Sequence, residues 1–357
     1  MDAYFCVMLQ HESYMQRCLQ LAALGAGQVA PNPMVGAVLV YANRIIGEGY
    51  HQKYGEAHAE VNCINNVSDS DKAFIRQSTM YVSLEPCAHF GKTPPCADLI
   101  VKNEIPKVVI GCMDSFVAVA GKGIDKLKQA GIDVLTGILE KECLDLNRRF
   151  FTCQNLQRPY IILKWAQSSN NKIGLLGTDR MRISNDFTNR LVHKWRSEEA
   201  AILVGTNTAM QDDPALTARH WPGKNPVRLV IDNTLKLPSH INLFDGHTKT
   251  VVFNTIKAEE KENLVYLQID QDKKLLEQIS EALYAMHLQS VIVEGGSKLL
   301  QSFIDEGIWD EARVICNGHL VIADGVSAPV LKNHLLVKEQ KIKTDTISFY
   351  KNKETTK

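Results

Sequence analysis

His58, Glu60, Cys87 and Cys96 are the residues of this chain whose types and spacing point most directly to chemistry. They supply one imidazole, two thiols and a carboxylate two residues beyond the imidazole; both cysteines follow proline, in Pro86-Cys87 and Pro94-Pro95-Cys96. A catalytic zinc ion takes three protein ligands and keeps its fourth position for water, whose pKa it brings near neutrality. His58, Cys87 and Cys96 are the expected ligands, and Glu60 is the group expected to move protons beside them.

Each of these residues has a plainer reading. Alone, His58 would pass for a buried core histidine, and Cys63, five residues on, reads as a core thiol because free cysteine is commonly buried. The context argues otherwise for the other three. Met80 to Leu84 reads as a buried strand stopped by Glu85-Pro86-Cys87, and Cys96 stands just ahead of an expected helix over Ala97 to Lys102. A helix N-terminus and a bound cation both favour the thiolate that ligates zinc. Positions two apart on a helix do not share a face, so Glu60 is expected to meet the water and not the metal. A closed structural zinc site would need a fourth good ligand. The combination is what a zinc-dependent deaminase requires: water adds to an amidine-like carbon, Glu60 carries a proton to the departing nitrogen, and ammonia leaves a carbonyl behind.

The elements that must position these groups follow from pattern. The chain has 357 residues, 45% hydrophobic and 22% charged, enough for two domains with substantial cores. Forty basic and forty acidic side chains cancel, which argues against nucleic acid or a membrane as the main partner and for a small molecule. Nine scattered cysteines and an N-terminus without a basic-then-apolar pattern predict a reducing cytoplasm. The uncharged stretch from Cys18 to Asn43 is interrupted by Gln20, Gln28, Pro31, Asn32 and Pro33, so it reads as a helix, a turn and a strand.

Ser13 is expected to cap a helix carrying Tyr14, Cys18, Leu21 and Ala22 at helical spacing, ended by Gly25 and Gly27. Strands are expected over Val35 to Val40, up to Gly49, and over Val108 to Gly111 and Ile132 to Leu135, with a helix over Gly123 to Ala130. A helix over Glu140 to Arg149 and a polar joint over Thr152 to Arg158 close this half. Strands are then predicted at Tyr160 to Trp165, Ala200 to Val204, Val227 to Ile231, Thr250 to Phe253, Ser290 to Val293 and Ala312 to Cys316. Helices are predicted at Asp186 to Ser197, Lys273 to His287 and Lys298 to Glu306. The alternation makes both halves α/β. Glu294-Gly295-Gly296-Ser297-Lys298 joins a strand to a helix, a junction where backbone N–H groups can approach a phosphate, although a plain tight turn reads equally well. Gly205 to Thr208 and Asp212 to Arg219 read as turns.

The usual zinc-deaminase pair is Cys-x-x-Cys, whereas eight residues separate Cys87 from Cys96. With Pro31 to Gly36, His58 to Glu60 and the whole of Pro86 to Cys96, the chain resembles the bifunctional deaminase-reductase family of riboflavin biosynthesis. The resemblance spans roughly residues 8 to 350, leaving Lys351 to Lys357 as an expected frayed tail. It implies a cytidine-deaminase-like α/β sandwich over 8–150 and a dihydrofolate-reductase-like α/β domain over 158–350. It implies deamination of a phosphoribosylated diaminopyrimidinone, then NADPH-dependent reduction of the ribosyl group, with Zn2+ and NADPH as cofactors and a homo-oligomeric assembly.

By the same resemblance Asn32, His51, His89 and Lys92 would hold the first substrate, and Arg196, Leu216, Arg219 and Glu294 the second. Ala166, Thr208, Asp212, Gly296, Ser297 and Lys298 would contact NADPH. Arginine suits a ribose phosphate because its planar fork binds phosphate in a bidentate manner. The chain departs from the family at Ser115-Phe116-Val117, at Ser168 to Lys172 and at Arg180 to Ser184, and Arg182 is expected to meet a cofactor phosphate there. No side chain stands out as the acid of the reduction. A nucleoside or tRNA deaminase with an accessory domain, and a zinc-stabilised binding module, are the alternatives.

Overall fold

The structure, a computed structural model, describes residues 3–90, 94–114, 121–177 and 181–355. The chain divides into two units, Met1–Leu156 and Gln157–Lys357.

In the first unit, α1 (Ala3–Ala23) precedes the hairpin β1 (Gly36–Tyr41) and β2 (Arg44–Tyr50), followed by α2 (Ala59–Asn65), β3 (Thr79–Leu84), α3 (Cys96–Lys102) and β4 (Lys107–Cys112). The elements α4 (Lys122–Gln129), β5 (Asp133–Thr136), α5 (Glu140–Leu146) and α6 (Arg148–Leu156) complete it. The sheet order is β2-β1-β3-β4-β5, with β3, β4 and β5 parallel and the β2-β1-β3 pairings antiparallel. Strand alternation sends Ala37, Leu39, Met80, Val82, Val108 and Ile110 to one face, where α2, α3 and α4 supply Ala59, Cys63, Ala97, Ile100, Ile124 and Leu127. The other face, with Val38, Val40, Tyr81 and Val109, packs on Met15, Cys18 and Leu21 of α1 and on Cys143 and Phe151. The result is an α/β sandwich whose α2, α3 and α4 share one side.

Several expectations are corrected here. Ser13 caps nothing: the helix begins ten residues earlier, and the Ser13 hydroxyl donates back to Leu9 O at 2.9 Å. The helix expected over Glu140 to Arg149 breaks at Asn147. This residue is buried and spends its amide on the Met34 backbone, accepting from Met34 N and donating to Met34 O, each at 2.8 Å. The joint expected from Thr152 is helical to Leu156, because Phe151 and Cys153 are buried.

The second unit contains β6 (Tyr160–Ser168), β7 (Lys172–Leu175), α7 (Asp186–Glu198), β8 (Ala201–Gly205), α8 (Thr206–Asp212), β9 (Val227–Ile231), β10 (Thr250–Asn254), β11 (Glu259–Glu260) and β12 (Leu264–Gln268). It continues with α9 (Leu275–Ala285), β13 (Ser290–Val293), α10 (Ser297–Asp305), β14 (Glu311–Asn317), β15 (Gly325–Ser327), β16 (His334–Ile342) and β17 (Asp345–Asn352). Among the described residues one sheet runs β11-β12-β10-β9-β8-β13-β6-β14-β17-β16, parallel from β12 to β14, and β7 pairs with β15 separately. Ile161, Leu163, Leu203, Leu229 and Val291 face α9 and α10; Ile162, Val204, Val230 and Ile292 face Val192 and Trp195 of α7 and Ala209 of α8.

The segment expected to turn at Gly205 to Thr208 is instead the start of α8, with Gly205 as its N-cap and Ala209 buried beneath it. The tail expected to fray from Lys351 is strand as far as Asn352, which is buried and donates to Trp309 O at 2.9 Å. Strand β16 escaped sequence reading because it is exposed on both faces and carries no alternation of apolar and polar residues.

Candidate active sites

Each of the three predicted ligands stands at the end of an element. His58 is the N-cap of α2, in extended conformation, and so lies just outside the helix that Glu60 belongs to. The place of α2 is set by close contact with β2: a Cβ at Gly49 would lie 2.2 Å from Cys63 N, so only glycine admits the helix so near. Cys87 follows β3, and Cys96 is the first residue of α3, preceded by Pro95 at its N-cap. The Cys96 N–H donates to Cys87 Sγ at 3.3 Å, and the Ala97 N–H to Cys87 O at 3.1 Å, so the start of α3 is built around Cys87. His58 Nδ1 lies 3.7 Å from Cys87 Sγ and 3.4 Å from Cys96 Sγ. One donor atom from each residue falls within 4.8 Å of the others, the scale of a shared metal ion.

The electrostatics of this triad are those of a cation site. Hydrogen bonding from Cys96, and then from His58, pulls the Cys87 thiol down to about 4, while the bond to Cys87 and burial push Cys96 up. A bound divalent cation favours the thiolate at both sulfurs. Glu60 is buried at 3% exposure, and burial followed by the nearby Cys87 charge raises its pKa to about 7. A carboxyl group near neutrality can both take and give a proton, as proton transfer to a leaving nitrogen demands. Hydrolysis at a polarised carbon is therefore within reach of these four groups.

Around them, His51 accepts or donates at both ring nitrogens: Nδ1 lies 3.0 Å from Ala57 O and Nε2 lies 3.2 Å from the Asn32 amide nitrogen. A carbonyl only accepts, so Nδ1 carries the proton and Nε2 accepts from Asn32, which turns the Asn32 carbonyl oxygen away from the ring. Burial keeps His51 neutral, lowering its pKa. Its ring meets the His58 ring edge-on at 5.3 Å, so Asn32 and His51 are gathered at the triad. His89 is exposed in the loop after Cys87, and Lys92 lies outside the described residues.

In the second unit, the Arg196 guanidinium donates two bonds to Glu294, Nε to Oε1 at 2.8 Å and Nη2 to Oε2 at 2.7 Å. Lys164 Nζ donates to Glu294 Oε2 at 3.3 Å. Lys164 was not among the residues singled out from sequence; the signal was a lysine within the apolar run Tyr160 to Trp165. Its place follows from register: Leu163 of β6 pairs with Val293 of β13, so Lys164 and Glu294 come next side by side on the face covered by α7. The side chains of all three are at most 13% exposed. Burial alone would raise Glu294, but Arg196 and Lys164 outweigh it and hold it at about 2. Burial lowers the Lys164 pKa against the pull of Glu294, which makes its proton easier to give away.

Arg196 also donates to Thr217 O at 3.2 Å, which brings the segment with Leu216 and Arg219 to the same cluster. Leu216 is buried in a left-handed conformation, and Arg219 is exposed with its Nη1 3.4 Å from Thr217 Oγ1. Sequence reasoning also missed His193, one turn before Arg196, whose ring lies edge-on to His220 at 4.6 Å. Burial, then Arg196, Arg219 and His220, push its pKa down to about 4, so the positive charge here stays on the guanidinium groups.

Ala166 lies two residues beyond Lys164 on the same face of β6. Gly296 is the N-cap of α10, Ser297 and Lys298 are its first residues, and a Cβ at Gly296 would lie 3.3 Å from Thr208 Oγ1. The start of α8 and the start of α10 are thereby neighbours. Asp212 is the exposed last residue of α8. Its neighbour Asp213 takes a structural part, accepting from Asn242 N at 2.7 Å. Among the described residues Arg182 is exposed and paired with Asp186, away from this cluster.

Residues 8–112 match the cytidine and deoxycytidylate deaminase zinc-binding region, and residues 159–329 match the RibD C-terminal domain. The chain is 36% identical to the riboflavin biosynthesis protein RibD of Aquifex aeolicus, over 95% of this chain and 98% of that one. It is 34% identical to the protein of the same name from Escherichia coli, over 88% and 90% of the two chains. Among solved structures it is similar to a diaminohydroxyphosphoribosylaminopyrimidine deaminase/5-amino-6-(5-phosphoribosylamino)uracil reductase from Thermotoga maritima, with a TM-score of 0.88, 33% identity and coverage of 97% and 99%. Acinetobacter baumannii RibD gives a TM-score of 0.86 at 29% identity, with coverage of 96% and 99%. Likeness of this extent runs through both units and not through the metal-type triad alone, and it makes the chain a member of the RibD family of riboflavin-biosynthesis proteins.

Proposed function

We propose that this chain carries out two successive steps of riboflavin biosynthesis. Residues 8–150 hydrolytically deaminate 2,5-diamino-6-(5-phosphoribosylamino)pyrimidin-4(3H)-one, and residues 158–350 reduce the resulting 5-amino-6-(5-phosphoribosylamino)uracil to its ribitylamino product with NADPH. The observation that carries the reading is the convergence of His58, Cys87 and Cys96 beside the buried Glu60, in a chain whose other half gathers Lys164, Arg196 and Glu294.

One nitrogen and two sulfur donors on rigid element ends fit zinc, and His58, Cys87 and Cys96 hold it. The chemistry zinc supplies when bound is a Lewis acid that makes water a nucleophile at neutral pH. Glu60 takes a proton from water and delivers it to the departing amine, so that water and the aminopyrimidine become ammonia and a carbonyl. Asn32, His51, His89 and Lys92 hold the substrate, with the Asn32 carbonyl oxygen free of His51 and able to accept from an amine.

For the second step NADPH supplies the hydride. Ala166, Thr208, Asp212, Gly296, Ser297 and Lys298 line the cofactor position, and Arg182 reaches a cofactor phosphate once it leaves Asp186. Arg196, Leu216, Arg219 and Glu294 hold the phosphoribosyl pyrimidine. Lys164 gives the proton that accompanies opening of the ribose ring, since the guanidinium beside it does not deprotonate. Glu294 holds Lys164 in place for this.

The enzyme works on small molecules in the cytoplasm as a homo-oligomer, apart from nucleic acid and membrane. Balanced charge supports the first point, and among the described residues no helix is long and apolar enough to cross a membrane. The assembly is supported by Leu335, Leu336 and Val337, exposed side by side on the edge strand β16. The test is to incubate the zinc-loaded chain with the diaminopyrimidine nucleotide, with and without NADPH, following ammonia and NADPH absorbance. Ammonia released in both arms, and NADPH consumed in stoichiometric amount, is the expected result; no ammonia in either arm overturns the reading.

A further inference from the structure

We propose that Glu85 is a positioning residue for Cys87, fixing the place of this zinc ligand by anchoring the loop after β3 to the start of α4. The proposal rests on the zinc reading above. Glu85 extends the β3-β4 pairing by one residue, its N–H donating to Cys112 O at 3.0 Å, and its side chain is buried at 5% exposure of the residue. Among the described residues its carboxylate accepts from four backbone N–H groups: Oε1 from Gly123 at 2.9 Å and Ile124 at 3.4 Å, and Oε2 from Asp114 at 3.2 Å and Gly121 at 3.1 Å. Gly121 is the N-cap of α4, and Gly123 and Ile124 lie in its first turn. A side chain from the end of β3 therefore satisfies N–H groups that a helix start otherwise leaves without acceptors.

The consequence falls on Cys87, two residues later. Its carbonyl and sulfur both accept from the start of α3, as described above, so the stretch from Glu85 to Cys87 is held at one end by α4 and at the other by α3. The proline between them has its φ fixed. Its carbonyl is pressed against α4: a Cβ at Gly123 would lie 2.0 Å from Pro86 O. A metal ligand must be held to within about 0.5 Å, and here the first turn of α4 provides the stop through Glu85 and Gly123.

Two substitutions reach the same loop by different routes. Glu85→Gln keeps shape and volume but turns an NH2 group toward two of the N–H donors, whereas Gly123→Ala keeps the carboxylate and pushes chiefly on Pro86 O, 2.0 Å from the added Cβ, with Glu85 Oε1 next at 3.2 Å. In the full-length chain, zinc affinity is measured by competition with a chromophoric chelator, and the visible spectrum is recorded with cobalt in place of zinc. Both variants are expected to bind zinc about 10- to 100-fold more weakly and to shift the cobalt–thiolate bands, while NADPH-dependent reduction of supplied deaminated substrate stays at the wild-type rate. Glu85→Asp, which keeps the acceptors, is expected to recover part of the loss. Wild-type zinc affinity and cobalt spectrum in a folded Glu85→Gln overturn the proposal. Should that variant fail to fold, wild-type affinity in Gly123→Ala overturns it. A wild-type chain that binds no zinc would overturn the zinc reading itself and is recognised before any variant is made.

Discussion

The two candidate sites are built from opposite materials. In the first unit, three donor atoms of types that proteins use sparingly meet at the starts of α2 and α3 and the end of β3, within 39 residues of sequence. In the second, Lys164, Arg196 and Glu294 are common residues from the middle of one strand, the end of another and a helix, 130 residues apart at the extremes. The first site presents one nitrogen and two sulfur donors to a charge to be added. The second is already compensated, with a carboxylate held between two cations and excluded from water. A metal site declares itself by the ligand types it needs; a buried ionic cluster does so only when the fold closes.

That contrast is broken or sharpened most strongly by separating the two activities. Glu60→Gln is expected to lower ammonia release by about a hundred- to ten-thousand-fold, the usual worth of a general acid–base group. Reduction of supplied deaminated substrate should be unchanged in that variant. Lys164→Ala is expected to give the mirror image, with NADPH oxidation reduced about 100-fold and ammonia release intact. Loss of both activities in either variant, measured by the same two assays, would mean that the sites are not chemically independent.

A second effect concerns stability. Glu294→Gln leaves Lys164 and Arg196 buried without their counter-charge and is expected to cost about 3–5 kcal/mol in chemical denaturation. The Glu294 pKa is depressed in the folded chain, so its contribution is complete above the ordinary value of 4.5 and fades as pH falls toward about 2. The wild-type and variant stabilities should therefore converge on acidification through that window. The smallest effect tests the correction at the N-terminus: Ser13→Ala should change stability by no more than about 0.5 kcal/mol, whereas loss of a true helix cap costs about 1 kcal/mol.

What was legible in the sequence follows the same division. His58, Glu60, Cys87 and Cys96 could be paired on paper because histidine and cysteine in such spacing have few other uses, and the alternation of strand and helix gave the α/β class of both halves. Strands with an apolar run bounded by turns, such as Val227–Ile231 and Ser290–Val293, were placed to the residue. Apart from the Ser13 cap and the exposed strand β16, the failures involve contacts distant in sequence. Asn147 breaks a helix because Met34, 113 residues away, needs its amide. Strand β17 extends to Asn352 because His334 of β16 offers it a partner. Lys164 acquires its meaning from the register of β6 on β13, which no local pattern encodes.

The sequence by itself thus determined the donor set, the reaction class that set permits and the layered α/β character, since these depend on residue type and local period. Only the tertiary structure decided that Lys164 faces Glu294, that the Asn32 amide is turned by His51, and that Glu85 reaches N–H groups after β4 and in the first turn of α4. The physical reason is one of range: propensity and periodicity act over a few residues, whereas burial and hydrogen-bond satisfaction are settled between groups that meet only once the sheet has assembled.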